Sequence, residues 1–257
     1  PLDALHSGAR TDRSLGDTTM DSFGPMAGVR MPDWAIQRAT GRRGTAHPFA
    51  NLNPQTTALV VIDLQLAYMH ESGGYVECAA ARDIVPDVNR LAAALRDAGG
   101  LVAWVQNTHD ASCERDWTVQ QRMNTPESTA RRSAALTFGA KGHALWPTLD
   151  VRLRDEIVLK RRYSAFIHGT CDLESILRAR GIDTILIAGT LTNVCCDSSA
   201  RDAMMLDFRT VMVSDGCAGV TQEEHDGALA AFYATFGDVM DTDFIIDRLA
   251  QTQAQAA

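Results

Sequence analysis

Between Asp183 and Met205 the chain reads DTILIAGTLTNVCCDSSARDAMM, and this stretch limits the possible folds more than any other. Thr184 to Ala188 is a continuous β-branched and apolar run, Gly189 interrupts it, and a helical pattern follows. A strand buried on both faces and handed straight to a helix belongs to a parallel sheet, where crossover helices cover both faces. Cys195 sits at the join. The crevice beyond the carboxyl ends of such strands is where α/β proteins bind their ligands. A cysteine in the first turn of the following helix faces the positive end of the helix dipole, which lowers its pKa and favours thiolate. The competing assignment is a thiol packed as a small hydrophobe, the commoner fate of free cysteines. Position alone does not decide between them.

The same alternation recurs from Thr57 onward. TALVVID is a buried strand ending in Asp63, followed by Gln65 and a Gly73-Gly74 loop. Ile84, Val88, Leu91 and Leu95 then fall at helical spacing, and Gly99-Gly100 stops that helix. LVAWVQN is a second strand ending near Asn107, and a polar segment from Thr108 to Trp146 covers the sheet end with helical pieces. EIVLK is a third strand ending in Lys160, with a helix over about Asp172 to Arg180 after it. ILIAG is the fourth strand, Val194 to Leu206 the next helix, and Thr210 to Ser214 the fifth strand. Gln222 to Phe236 is a further helix, and DFIID reads as a short last strand. Strand and helix alternate throughout, which predicts a three-layer α/β/α sandwich with a mostly parallel, doubly wound central sheet. No internal repeat, GxGxxG or P-loop occurs, which weakens nucleotide-binding readings.

With 257 residues, 46% of them hydrophobic, the chain is long enough for one sizeable core. It divides into an N-terminal extension (1–56), an α/β domain (57–249) and a polar tail (250–257). Within the extension, HSGARTDRSLGD and TGRRGTAHPFANLNPQ read as loop or extended arm. Trp34, Ile36 and Phe49 offer anchors for it on the body or on a neighbouring subunit; a partly disordered tail is the other reading. Acidic residues outnumber Lys and Arg by 32 to 24, for a net charge of −8, which argues against non-specific nucleic-acid binding. Six cysteines without a CxxC argue against zinc-ribbon and thioredoxin-type motifs and read as reduced thiols of a cytosolic protein. No run approaches the ~18 apolar residues of a membrane span, and the basic start and apolar core of a secretion signal are missing.

Asp63, Lys160 and Cys195 share one property: each is the first reactive side chain after a buried strand. In a parallel sheet those ends lie along one edge, so the three converge on one crevice. Singly, Asp63 is explained as a helix cap and Lys160 as a solvated strand-end charge. Together, an acid, a base and a thiol are the set that nucleophilic catalysis requires.

ALVVIDLQ, KRRYSAF and GTLTNVCCDSSARDA, in that order and spacing, resemble the isochorismatase-like cysteine hydrolases over roughly Thr57 to Leu249. Within that family, LQLAY, GGY, WVQN and K-x-R-Y are most similar to amidohydrolases acting on ureido and carbamoyl compounds, the ureidoacrylate type among them. The resemblance implies Cys195 as nucleophile, Asp63 as general base and Lys160 as the third catalytic member. It also implies a cis peptide between Thr190 and Leu191, with the N–H groups of Leu191 and Cys195 forming an oxyanion hole. Asn107 and Tyr163 are substrate-contact candidates from the same comparison, and His109, on a strand-end loop, and Gln65 are candidates beside them. No cofactor is implied, and the partner is a small amide or ureide. The family and the long extension point to a homo-oligomer, a dimer or tetramer.

Two positions depart from the pattern. Thr108-His109 stands where the ureidoacrylate type tends to have an aromatic residue, which bears on substrate identity. Cys196 stands where valine is more usual, a swap between two small apolar side chains. Some relatives, the nicotinamidases, hold a metal through an Asp-x-His-type motif, which neither the segment after Asp63 nor that around His109 matches; no metal is expected. The rival readings are a nicotinamidase- or isochorismatase-type hydrolase and, in a different class, a catalytically silent binding module on the same fold. Vinyl-ether hydrolysis needs no cysteine nucleophile, so Cys195 speaks against the isochorismatase reaction itself.

Overall fold

The computed structural model describes residues 28–256. HSGARTDRSLGD, and with it the first 27 residues of the predicted arm, lies outside the described residues. The first described element, α1 (Asp33–Arg43), corrects the loop reading of this region. Its seam is made of two small side chains one turn apart, Ala35 and Ala39, and apolar periodicity hardly registers alanines. Gly44 ends the helix in the left-handed conformation, φ +71°, its N–H bonded to the Thr40 carbonyl. Of the three predicted anchors, Ile36 and Phe49 pack on the body, whereas Trp34 is half exposed.

Six strands follow: β1 (Thr57–Ile62), β2 (Leu101–Asn107), β3 (Glu156–Lys160), β4 (Thr184–Thr190), β5 (Arg209–Ala218) and β6 (Asp238–Met240). All adjacent pairs are parallel, in the order β3-β2-β1-β4-β5-β6. The chain starts in the middle, winds out to β3, and returns past β1 to build the other half. The reversal between β1 and β4 is the topological switch point, where a doubly wound sheet opens a crevice. Every residue of β1, β2 and β4 is buried, as continuous apolar runs require.

The helices are α2 (Leu66–Met69), α3 (Val85–Asp97), α4 (Ala111–Asp116), α5 (Thr118–Arg122), α6 (Pro126–Leu136), α7 (Leu173–Ala179), α8 (Asp197–Met205), α9 (Gln222–Thr235) and α10 (Thr242–Ala256). Two cores lie on opposite faces of the sheet. On one, Val88, Leu91 and Leu95 of α3 join Ile245 and Leu249 of α10 against Leu59, Val61 and Trp104. On the other, residues of α7, α8 and α9 cover Val60, Ile62, Val105 and Ile187. α1 lies outside α9, packing Ala35 with Ala230 and Ala234, and Arg43 spreads its guanidinium 4.4 Å from the Tyr233 ring.

Two strand assignments change. DFIID is helical, the start of α10, because Phe244, Ile245 and Leu249 fall at helical spacing and Asp241 caps the turn by accepting from the Phe244 N–H. The last strand is instead the three residues of β6, paired with Val211–Val213. β5 is longer than predicted, running to Ala218 through a register shift opposite Ile187 and Gly189, which carries the β4–β5 pairing on to Thr190. The polar tail continues α10 as far as Ala256.

Candidate active site

Register aligns the three strand ends. Ile62 pairs with Val105 on one side and Gly189 on the other, and Asn107 pairs with Lys160. Asp63 therefore emerges between the ends of β2 and β4, with Lys160 one strand further out. Asp63 has φ +55°, a left-handed conformation that Asp tolerates better than most residues and that costs on the order of 1 kcal/mol. Its N–H donates to the Val105 carbonyl at 2.9 Å, so the turn is tied to the sheet.

The predicted trio meets. Lys160 Nζ lies 2.8 Å from Asp63 Oδ2 and 3.5 Å from Cys195 Sγ, and donates to the Arg162 carbonyl at 3.0 Å. Asp63 and Lys160 are 0% exposed and Cys195 4%. The Asp63 carboxylate is also hydrogen-bonded by the Cys195 thiol and the Asn107 backbone. Burial pushes the Asp63 carboxyl upward against the opposing pull of Lys160. Burial alone would lower the Lys160 ammonium, but the Asp63 carboxylate and the hydrogen bonds to Asp63 and Cys195 outweigh it and the direction is up. The aspartate is thus a stronger base than an exposed one, and the lysine stays a cation.

Cys195 corrects the dipole argument. Burial pushes its thiol up to about 12, Lys160 pulling against it and Asp63 adding to it. It lies within a π-helical turn, Thr192–Cys196, and α8 begins only at Asp197, so Cys195 precedes the α-helix instead of occupying its first turn. The resting nucleophile candidate is a protonated thiol beside a base. The Thr190–Leu191 peptide is cis, as the resemblance implied. Cys196 is fully buried and hydrogen-bonded with Cys217, and its thiol is likewise held well up by burial.

The other predicted residues surround the trio in different ways. Gln65 is fully enclosed: Nε2 donates to the carbonyls of Asn107 and His143, and Oε1 accepts from the Asn107 N–H at 2.7 Å. It ties the end of β2 to the loops above it. Asn107 Nδ2 donates to the Tyr68 hydroxyl at 2.6 Å, while Asn107 Oδ1 is buried without a partner. Tyr163 meets Trp117 edge-on at 4.9 Å and lines, with Arg162, Ser164 and Ile167, an open cleft of about 480 Å³. His109 is buried, with Nδ1 3.1 Å from Arg132 Nη1 and Nε2 3.5 Å from the Glu114 carboxylate.

Sequence reading missed Tyr68, Tyr75, Trp117 and Arg132. Tyr68 lies in the LQLAY block and Tyr75 follows the Gly73-Gly74 turn, so their vicinity to Asp63 was legible; nothing in the local pattern marks Trp117 or Arg132. The Tyr68 and Tyr75 rings meet edge-on at 5.8 Å. Burial pushes both phenols up, Tyr68 well above its ordinary value, so both are uncharged. Among the described residues no group of three or more His, Cys, Asp or Glu side chains is arranged to hold a metal ion, and no helix is long and apolar enough to cross a membrane.

A family profile described as Isochorismatase domain matches residues 57–244, most of the chain. The chain belongs to the isochorismatase family. Its curated relatives include the ureidoacrylate amidohydrolase RutB of Variovorax paradoxus (strain S110), 35% identical over 214 residues, 77% of this chain and 82% of that one. RutB of Acinetobacter baylyi is 29% identical over 243 residues, 87% of this chain and 96% of that one. A cysteine hydrolase from Pseudomonas syringae pv. phaseolicola 1448A shares the fold at TM-score 0.70 and 26% identity, covering 78% of this chain and 95% of its own. This member of the isochorismatase family is accordingly a hydrolase, and the two relatives named are amidohydrolases, enzymes of carbon–nitrogen bonds other than peptide bonds.

Proposed function

We propose that this protein is a cysteine amidohydrolase that cleaves a C–N bond of a small linear ureido, carbamoyl or amide compound through a thioester. The observation that carries the proposal is the fully buried Asp63–Lys160 pair beside the Cys195 thiol. A thiol pushed up to about 12 is almost wholly protonated near neutral pH, so attack requires a base at hand. Asp63, hydrogen-bonded by the Cys195 thiol and with a carboxyl raised by burial, is that base.

As the proton passes from sulfur to Asp63, sulfur bonds to the substrate carbonyl carbon and the carbonyl electrons move onto oxygen. The N–H groups of Leu191 and Cys195 are the donors assigned to that oxyanion. Collapse re-forms the carbonyl and breaks the C–N bond, and Asp63 returns its proton to the departing nitrogen. Water then attacks the thioester with Asp63 again taking a proton, the C–S bond breaks, and the thiol is regenerated. Lys160 stays an ammonium throughout and balances the charge that shuttles between carboxylate and thiolate.

The test is ammonia release across a panel of ureido, carbamoyl and simple amide substrates. Cys195→Ala should abolish turnover with the fold intact; an active Cys195→Ala enzyme would overturn the mechanism. A thiol-reactive substrate analogue should label Cys195, and labelling at Cys196 would reverse the assignment.

A further inference from the structure

Arg132 is a buried cation without an anion. It is 2% exposed, forms no ion pair among the described residues, and has two nitrogens, Nε and Nη2, without a protein hydrogen-bond partner. An arginine cannot shed its charge, so leaving it unpaired in the interior is expensive unless something pairs it during function.

Its placement is built. Arg132, Ala135 and Leu136 share one face of α6, and Ala135 and Leu136 pack with Ala67, Tyr68 and Tyr75. The guanidinium lies 5.4 Å from the Trp117 ring centre, and Trp117 in turn meets Tyr163. Arg132 Nη1 sits 3.1 Å from His109 Nδ1. A guanidinium only donates, so His109 Nδ1 must accept, which fixes that ring as neutral with its proton on Nε2, toward Glu114. Burial and the Arg132 charge both hold the His109 pKa down, in keeping with that state. Trp117 and Tyr163 line the open cleft, and Ala135 and Leu136 pack on Tyr68, whose hydroxyl holds Asn107 opposite Lys160, so the guanidinium sits beside the wall of the same strand-end crevice.

Asp63 and Lys160 offset each other, the Cys195 thiol and His109 are neutral, and the carboxylate on the Arg132 side, Glu114, is 62% exposed and reaches only His109 Nε2, so among the described residues Arg132 has no buried counter-ion. Its two partnerless nitrogens, Nε and Nη2, form the side-on edge of the guanidinium, the fork that takes the two oxygens of a carboxylate. We infer that Arg132 receives a carboxylate of the substrate, so that the enzyme selects a small ureido or amido acid over a neutral ureide of the same length. The nature of the cleaved group rests on the amidohydrolase reading; the anion site does not.

The experiment separates the two. Binding is measured by calorimetry on Cys195→Ala enzyme with 3-ureidoacrylate and N-carbamoylglycine, each against its methyl ester. At least one acid should bind about 30-fold or more tighter than its ester. Adding Arg132→Gln should collapse that ratio to within about threefold, with Arg132→Lys intermediate because it keeps the charge and loses the fork. Equal binding of acid and ester with Arg132 present overturns the inference, as does a preference that survives Arg132→Gln. If Arg132→Gln fails to fold by circular dichroism, the acid-to-ester ratios of the Arg132 and Arg132→Lys proteins decide. An acid preference in a wild-type enzyme that releases no ammonia from any substrate of the panel would sink the amidohydrolase reading and leave the anion site standing.

Discussion

Lys160 Nζ and Asp63 Oδ2 are 2.8 Å apart with neither side chain reaching solvent. Such a pair is weak evidence for stability, since taking two charges out of water costs about what their attraction returns, but removing one partner strands the other. Lys160→Met should therefore lower stability by about 3–5 kcal/mol and abolish turnover, because Asp63, freed of the ammonium and still raised by burial, holds its proton and stops acting as a base. Combining it with Asp63→Asn should restore part of the stability and none of the activity. Urea unfolding of the three variants, read beside the assay, checks both; a Lys160→Met protein as stable as wild type would contradict the pairing.

Cys195 gives the second prediction through its pH dependence. Its folded pKa is raised, from an ordinary 9.0 to about 12. A group whose folded pKa lies above its unfolded one contributes stability that is complete below the unfolded value and is lost as pH climbs to the folded value. Stability should therefore fall between pH 9 and about 12, more steeply in wild type than in Cys195→Ala. Denaturation midpoints over the accessible part of that range test the sign. Asp63 pushes the thiol up and Lys160 pulls it down, so Asp63→Asn should shift the pH dependence of Cys195 alkylation to lower pH while hydrolysis is lost.

The strand ends were legible because each is a run of apolar residues closed by a single polar one: Ile62 by Asp63, Leu159 by Lys160. A parallel sheet then brings them to one edge whatever their separation in sequence. Other features depend on partners that the local sequence does not name. The α1 seam is two alanines whose meaning comes from Ala230 and Ala234 on α9. DFIID is five residues long, too short for periodicity to separate helix from strand. The acidity expected for Cys195 rested on a helix start, whereas burial, a property of the folded whole, sets the direction of its pKa. Arg132 reads as one of two adjacent arginines on a polar helix, and only the tertiary contacts with His109 and Trp117 show that it is enclosed.

Gly189 closes β4 beside the end of β1, with φ +119°, and a Cβ there would overlap the Ile62 carbonyl. Neither strand has room to give, since the ladder between them fixes the spacing on which the Asp63 turn depends. Gly189→Ala should destabilise by more than about 3 kcal/mol and reduce soluble yield, measured as the shift in thermal or urea midpoint. A shift under about 1 kcal/mol would mean that β1 and β4 are not held this closely.

Tyr68 should act on binding more than on chemistry. Its hydroxyl accepts from Asn107 Nδ2 at 2.6 Å, and it stays a neutral phenol because burial and the neighbouring Asp63 carboxylate push its pKa well up. Tyr68→Phe keeps the ring that packs on Ala135 and Leu136 and removes only the oxygen, leaving a buried amide N–H without its acceptor. The loss should be about 1–3 kcal/mol of stability. Asn107, with its Oδ1 already unpartnered, is then free to turn, so KM should rise several-fold with kcat changed less. Steady-state kinetics on the best substrate of the panel separates the two constants. A fall in kcat alone, with KM unchanged, would place the Tyr68 hydroxyl at the reacting carbonyl instead of in the wall that holds Asn107.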